Sequence, residues 1–403
     1  MQMDFIKTFR YRLMPTQEQT AQLRQFAGCC RYVYNRAAAE LGVDNAPEHI
    51  AYNELSKWLT TLKHGPEAPW LREAPSQSLQ QALKDLTQSC RKVSEERRRG
   101  REAHVRFRSR FDGLGSVRFP QNIRLAEAWG TSKLRTFVVL PKLGAVEYRR
   151  SRTIPEGVAI VQATVREECG KWYVSVVVRE TLSVPDTDDA SMLGLDLGVR
   201  HFAVSYDGAD LAFHDIPAPV KKKLRRLDNR IRHLQSIRSA KMKRKAFGSA
   251  YRKLCMKIRR LWLKVRRIRL DFLHKLTTRM AENQRHAVVE ALEVRRMTCS
   301  DGTRRRDLNR SILEQGWYLF RTLLRYKLER CGRRLVEVNP AFTSVTCSIC
   351  RASSKSNRDG ERFRCTACGH EDHADANASK NIWAAGQAVL RGTILAPAGL
   401  FFL

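Results

Sequence analysis

Cys365-Thr366-Ala367-Cys368-Gly369-His370-Glu371-Asp372-His373-Ala374-Asp375-Ala376-Asn377-Ala378-Ser379-Lys380-Asn381-Ile382 decides how this chain folds. It opens as a metal knuckle and continues as a helix of small residues, with one carboxylate, Asp375, where the two meet. A matching pair, Cys347-x-x-Cys350, lies upstream with fourteen residues between the pairs. Two thiolate pairs on separate knuckles suit one tetrahedral Zn2+ ion. Held by Cys347, Cys350, Cys365 and Cys368, the ion has no open position for catalysis and serves to close a ribbon. A redox role fits a single CxxC, and two matched pairs disfavour it. His370 and His373 stand near enough to compete as ligands, and neither is expected to bind. Chemistry is left to the carboxylate, and clip and acid together suggest a nuclease.

Two more acids stand at the ends of apolar runs. Met192-Leu193-Gly194-Leu195-Asp196-Leu197-Gly198-Val199, followed by Phe202-Ala203-Val204, reads as a buried strand, a glycine turn and a return strand. Ala287-Val288-Val289-Glu290-Ala291-Leu292 is a short buried strand carrying Glu290 at its end. An unpaired charge on a buried strand costs several kcal/mol, so such acids are paired or metal-bound. Any one alone reads best as a local cap or salt bridge. Asp196, Glu290 and Asp375 together read as a set that holds two Mg2+ ions about 4 Å apart for phosphodiester hydrolysis. Glu293, the nearest competitor, lies past its strand and is expected to face out.

The partner implied by composition is a polyanion. The 403 residues carry 74 Lys or Arg against 41 Asp or Glu, a net charge of +33, and they are enough for two to four domains. Charge on this scale favours nucleic acid through counterion release, whereas a membrane surface wants an apolar anchor. No apolar run of eighteen residues occurs, and Met1-Gln2-Met3-Asp4 does not open a secretory signal, so a cytoplasmic protein is expected. Seven of the eleven cysteines are scattered without framework spacing, as in a reducing compartment.

Residues 5 to 14 alternate as a strand, and Gln17 to about Leu41 follows as a helix. Helical patterning from Tyr52 to about Arg101 predicts a helical insertion. Residues 104 to 183 turn to β signals at 116 to 119, 135 to 140, 157 to 166 and 172 to 179, which fits a small antiparallel barrel completed by the N-terminal strand. The acidic, Pro-containing stretch 184 to 191 reads as a linker. Residues 221 to 269 hold 21 Lys or Arg and one acid, Asp228, with apolar positions at alternating steps of three and four. They predict a helical hairpin hinged near Gly248. Phosphate contact is expected at Lys221, Lys222, Lys223, Arg225, Arg226, Lys243, Arg244, Lys245, Arg259, Arg260, Arg266 and Arg267, a solvated charged face being the alternative. Lys355, Arg358, Arg362 and Arg364 give the ribbon a basic surface. Residues 310 to 331 predict one helix and Arg334 to Val338 a strand, and strands alternating with helices indicate an α/β sheet. Phe9, Tyr11, Phe107 and Phe111 either stack on bases or pack in a core.

These residues resemble a family, the transposon-encoded OrfB proteins, also called TnpB. The matching stretches are Tyr11-Arg12-Leu13-Met14-Pro15-Thr16, Cys30-Arg31-Tyr32-Val33-Tyr34-Asn35, Gly194-Leu195-Asp196-Leu197-Gly198, Val288-Val289-Glu290-Ala291-Leu292, Asn339-Pro340-Ala341-Phe342-Thr343-Ser344 and Asp375-Ala376-Asn377-Ala378-Ser379. The resemblance implies an α+β multidomain fold. A wedge-like β-barrel spans 1–16 and 104–183, with a helical recognition lobe at 17–103 inserted into it. After the linker comes a RuvC-like, RNase H-like α/β nuclease domain at 192–346 and 369–386, interrupted by a four-cysteine zinc ribbon at 347–368 and followed by a tail at 387–403.

It also implies that Asp196, Glu290 and Asp375 are the catalytic triad of an RNA-guided DNA endonuclease using two Mg2+ and one structural Zn2+. Such a protein binds a guide RNA from the transposon end, acts as a monomer on that RNA, and cuts double-stranded DNA beside a short motif, with base pairing supplying specificity. Ala291-Leu292-Glu293 departs from the pattern, in which a polar residue follows the catalytic Glu and Asn stands at the position of Glu293. The rivals are a DNA-binding transposition accessory and a guided regulator that does not cut. A strand-transferring transposase would show a tyrosine or serine recombinase frame, which is not seen.

Overall fold

The computed structural model describes residues 2–42, 52–109, 115–129, 134–184, 191–283, 285–298 and 306–390. The chain divides into two compact units, residues 3–182 and residues 183–403 with the first two residues.

In the N-terminal unit, strand β1 (Gln2–Leu13) alternates as a half-buried strand must and puts Phe9, Tyr11 and Leu13 inside. Pro15 ends it. Thr16 then starts helix α1 (Gln17–Glu40) with a reciprocal capping box, its hydroxyl accepting from the Gln19 amide and the Gln19 side chain accepting from the Thr16 amide. Helices α2 (Tyr52–His64) and α3 (Ser76–Arg98) follow. Strands β2 (Ser116–Phe119), β3 (Arg124–Trp129), β4 (Leu134–Leu140), β5 (Gly144–Arg149), β6 (Ala159–Glu168) and β7 (Lys171–Ser183) form with β1 a seven-stranded sheet in the order β2-β6-β7-β1-β5-β4-β3. Leu23 and Val33 of α1, Leu79 and Leu86 of α3, and Val138, Val174 and Val176 of the sheet share one core. The helical insertion is therefore packed on the sheet.

The N-terminal strand completes this sheet from its middle, between β7 and β5. The barrel expected from sequence is not closed by pairing, because β2 and β3 end the order without joining each other among the described residues. Strands β3 and β5 are additions to the sequence reading. β3 lies at the edge and buries none of its residues, so it has no apolar period to read, and β5 buries only Val146 and Tyr148. Phe9 and Tyr11 are core residues at 2% exposure, Phe107 is exposed, and Phe111 lies outside the described residues.

The C-terminal unit is built on strands β8 (Met192–Asp196), β9 (Ala203–Tyr206), β10 (Leu211–His214), β11 (His286–Glu290) and β12 (Leu335–Val338), ordered β10-β9-β8-β11-β12. The β8, β11 and β12 neighbours run parallel, while β8, β9 and β10 form an antiparallel meander. Helices α4 (Ala218–Lys243), α5 (Ser249–Glu282), α6 (Val294–Met297), α7 (Arg306–Gln315) and α8 (Trp317–Arg330) come between strands. Strands β13 (Arg358–Asp359), β14 (Arg362–Arg364) and β15 (Glu371–His373) then make a small antiparallel sheet, and helix α9 (Ala374–Leu390) follows it directly.

Period-two alternation gives the five-stranded sheet two apolar faces. Leu193, Leu195, Ala287 and Val289 meet Leu273 and Leu276 of α5 and Phe320 and Leu324 of α8. On the other face Met192, Val288 and Val338 meet Ile382 and Trp383 of α9. Two glycines allow that second contact. A Cβ on Gly194 would stand 2.5 Å from the Ser379 carbonyl oxygen, and one on Gly386 would stand 2.3 Å from a Val288 methyl.

Several expectations change in detail. The single helix expected over 310 to 331 is two, because Gly316 adopts a left-handed conformation (φ 72°) between α7 and α8. That turn brings both Ile312 and Phe320 to one core. α4 and α5 form the expected hairpin, burying Ile231, Leu234, Ile258 and Val265. α9 continues through Leu390 into the expected tail, and residues 391–403, like 185–190 of the linker, lie outside the described residues.

Candidate functional site

Parity along the strands brings the acids together. Val288 pairs with Gly194 and Val289 with Leu195, so Glu290 falls beside Asp196 one step further along, at a strand spacing of about 4.8 Å. Both positions are even-numbered like Gly194 and Val288, and so both face α9. Asp375 sits in the first turn of that helix, and its Oδ2 lies 3.9 Å from where a Cβ on Gly198, in the tight turn after β8, would stand. Glu290 and Asp375 are 7% and 8% exposed. Glu293 is exposed and pairs with Arg296, as expected of a residue beyond its strand.

The electrostatics record the convergence. Burial pushes the Asp196 carboxyl well above the usual carboxylate range, the charges of Glu290 and Asp375 push it further, and Arg358 opposes them. Burial also raises Glu290, against a hydrogen bond donated by the Thr343 hydroxyl and the charge of Arg358. One guanidinium, donated from Arg358 to Asp375 Oδ1 at 3.1 Å, therefore faces three carboxylates. Three carboxylates against one guanidinium leave an excess of hard oxygen donors, the donor type that divalent cations take.

The ribbon carries its own metal set. The four sulfurs of Cys347, Cys350, Cys365 and Cys368 lie within 4.8 Å of one another. Cys347 and Cys368 Sγ are 3.7 Å apart and Cys350 and Cys365 Sγ 3.5 Å apart. A tetrahedral ion with Zn–S bonds of about 2.3 Å would set sulfurs roughly 3.8 Å apart, so the cluster fits. Amides of the knuckle, that of Cys368 first, lower the Cys365 thiol, while hydrogen bonding with the neighbouring thiols, Cys350 first, raises that of Cys368, so in the absence of an ion the sulfurs share protons that a metal would displace. Neither His370 nor His373 belongs to this set.

Sequence reasoning overlooked the residues that join ribbon to site. Asn377 accepts from the Ser348 amide at 2.9 Å and donates to the Thr346 carbonyl at 2.7 Å. Asn381, one turn later, donates to the carbonyls of Thr343 (3.0 Å) and Thr346 (2.7 Å). α9 thereby holds the segment that carries Thr343, the hydrogen-bond partner of Glu290, together with the start of the first knuckle. The available signal was two asparagines at i and i+4, Asn377 and Asn381, in the alanine-rich first half of the helix. Arg358 stands apart from the rest of the basic surface to which its sequence assigns it, since its neighbours Arg362 and Arg364 pair with Glu371 instead.

The twelve basic residues singled out on the helical hairpin, Lys221 to Arg267, are all exposed. Lys221 reaches Asp215 Oδ1 at 3.3 Å. No helix among the described residues is long and apolar enough to cross a membrane.

A mixed α/β chain with a basic helical hairpin, a four-cysteine ribbon and converging acids has the fold of the Cas12f class. It is similar to a Cas12f1 chain solved by cryo-EM with single-guide RNA and target DNA, at a TM-score of 0.60 and 12% identity, over 94% of this chain and 99% of that one. Family models match in three stretches: "Helix-turn-helix domain" of OrfB at residues 3–41, "Probable transposase" of OrfB at 173–301, and "Cas12f1-like, TNB domain" at 317–382. Over residues 3–41 the fold here is a strand followed by one helix. The chain is 37% identical over 400 residues to "Putative RNA-guided DNA endonuclease InsQ" of Escherichia coli strain K12, covering 96% of this chain and 93% of the relative. It is 31% identical over 390 residues to a "Putative RNA-guided DNA endonuclease" of Streptomyces pristinaespiralis, covering 95% and 90%. The chain belongs to the transposon-encoded OrfB, or TnpB, family.

Proposed function

We propose that this chain is an RNA-guided DNA endonuclease of a transposable element. It binds a guide RNA derived from the transposon end and cuts target DNA next to a short motif. The observation that carries the reading is the gathering of Asp196, Glu290 and Asp375 on one sheet face under α9, where burial first, and then the charges of the other two acids, raise Asp196. The family's endonuclease-named relatives, matched over nearly their whole length, support it. The strand order β10-β9-β8-β11-β12, an antiparallel meander extended by two parallel strands, is read as a RuvC-like sheet. Residues 3–182 are read as the wedge and recognition parts.

Asp196, Glu290 and Asp375 would hold two Mg2+ ions, and the four cysteines one Zn2+. Two hard cations so held would supply an activated water and neutralise charge on the leaving oxygen. Thr343 fixes the rotamer of Glu290 through its hydroxyl. Arg358 holds Asp375 and directs a guanidinium at the site, where a scissile phosphate would meet it. The exposed cations of α4 and α5 track phosphates, while base pairing in a guided complex carries sequence information.

The test is to purify wild type and Asp196→Ala from cells carrying the flanking DNA, sequence the bound RNA, and supply a matching plasmid with Mg2+. Wild type is expected to cut, and the variant to retain its RNA and lose cutting. Cutting by the variant, or the absence of a discrete RNA in both, would overturn the reading.

A further inference from the structure

We propose that His201, Glu361 and His373 form a second transition-metal site, sharing no ligand with the four cysteines or with Asp196, Glu290 and Asp375, that takes a borderline divalent ion such as Zn2+. One ligand atom from each residue lies within 4.8 Å of the others. They arrive from three places: His201 from the turn between β8 and β9, Glu361 from the turn between β13 and β14, and His373 from the end of β15. An ion with bonds of about 2.0–2.2 Å to nitrogen and oxygen spaces neighbouring ligands roughly 3.3–3.6 Å apart. Small side-chain rotations would close the set.

The surroundings are built for ligation. His201 Nδ1 meets Asp215 Oδ2 at 2.8 Å, the carboxylate–imidazole arrangement that fixes a tautomer and turns the lone pair of Nε2 outward. Asp215 is itself held by the Phe202 amide and by Lys221, each at 3.3 Å. Phe213 packs edge-on against both imidazoles, at 5.0 Å from His201 and 5.3 Å from His373, and so fixes both ring planes.

The groups that compete with an ion hold weakly. Glu361 pairs with Arg200 at 2.6 Å, but the two side chains are 45% and 69% exposed, and solvent screens a pair of this kind. His373 Nδ1 accepts the Asp375 amide at 3.2 Å, a long bond to a first-turn donor of α9. Arg200 holds the Glu361 carboxyl below its usual range. Imidazole and carboxylate ligands without sulfur suit Zn2+, Ni2+ or Co2+ more than Mg2+. An ion here would tie the β8–β9 turn and the ribbon to the start of α9. This proposal goes beyond the nuclease reading and does not depend on it.

The experiment is Zn2+ binding at stoichiometric Zn2+ to the full chain with its co-purified RNA, in an excess of Mg2+ that occupies the carboxylates and phosphates, by equilibrium dialysis and elemental analysis. Wild type is expected to hold two ions per chain, and His201→Ala and Glu361→Gln one. With Co2+ in place of Zn2+, the sulfur-to-cobalt absorption should persist in both variants, showing that the ribbon is intact. Asp215→Asn keeps all three ligands and is expected to weaken the second ion about 10-fold. One ion per chain in wild type, or a second ion undiminished in His201→Ala and Glu361→Gln, overturns the proposal.

Discussion

Asp196 stores repulsion that the fold sustains in the absence of a counter-ion. Its carboxyl is raised above the ordinary value by burial and by two like charges, so its stability contribution is fully present in acid and is lost as pH rises above that value. Asp196→Asn in metal-free protein is therefore expected to raise stability at neutral pH by about 1–2 kcal/mol. Mg2+ should raise the melting temperature of wild type and leave the variant nearly unmoved, and an equal response of the two would contradict the site. Asp207 behaves oppositely. The amides of Asp210 and Ala209, with Arg285, hold it down to about 2. Its contribution is present above the ordinary value of 3.8 and is lost as pH falls from about 4 toward 2. Asp207→Asn should cost about 1–2 kcal/mol in urea unfolding at pH 7, and the difference from wild type should shrink between pH 4 and pH 3. Asp196 and Glu290 were legible in the sequence because an acid inside an apolar strand breaks a pattern. Thr343, Arg358, Asn377 and Asn381 break none, and their partners lie 17 to 53 residues away.

At the level of elements, the site depends on how closely α9 lies on β8 and β11. Gly194→Ala and Gly386→Ala both insert a methyl into that contact, and both should destabilise the C-terminal unit. The first should cost more, about 3 kcal/mol or above, because its near neighbours include backbone atoms of Ser379 and Trp383, whereas those of Gly386 are side-chain atoms of Val288. Thermal melts of the two variants decide this, and a Gly194→Ala protein as stable as wild type would show that the helix stands further off. Long, strongly periodic elements such as α1, α3 and the α4–α5 hairpin were readable from spacing alone. β3 was not, since an edge strand that buries nothing has no hydrophobic signature, and the α7–α8 break was hidden because a helix-period pattern continues across Gly316.

For the whole molecule, +33 of net charge makes association with nucleic acid strongly dependent on salt. Lys222→Glu with Arg260→Glu, both exposed on the hairpin, should weaken RNA binding and lower the slope of log affinity against log salt by about 2. An unchanged slope would place the phosphate contacts elsewhere. If the four cysteines hold Zn2+ as proposed, its chelation, or Cys347→Ser, should melt β13–β15 and loosen Asp375, which follows β15 by two residues, and cutting should fall with metal content. The central position of β8 has a kinetic consequence. Its neighbours in space, β11 and α9, lie roughly 90 and 185 residues further along the chain, and contacts closed over such loops form late. We therefore expect slow refolding of the C-terminal unit, with Trp383 reaching its place on Gly208 in the final phase. Cleavage competence should appear only in that phase, so a chain still folding can already hold RNA while being unable to cut.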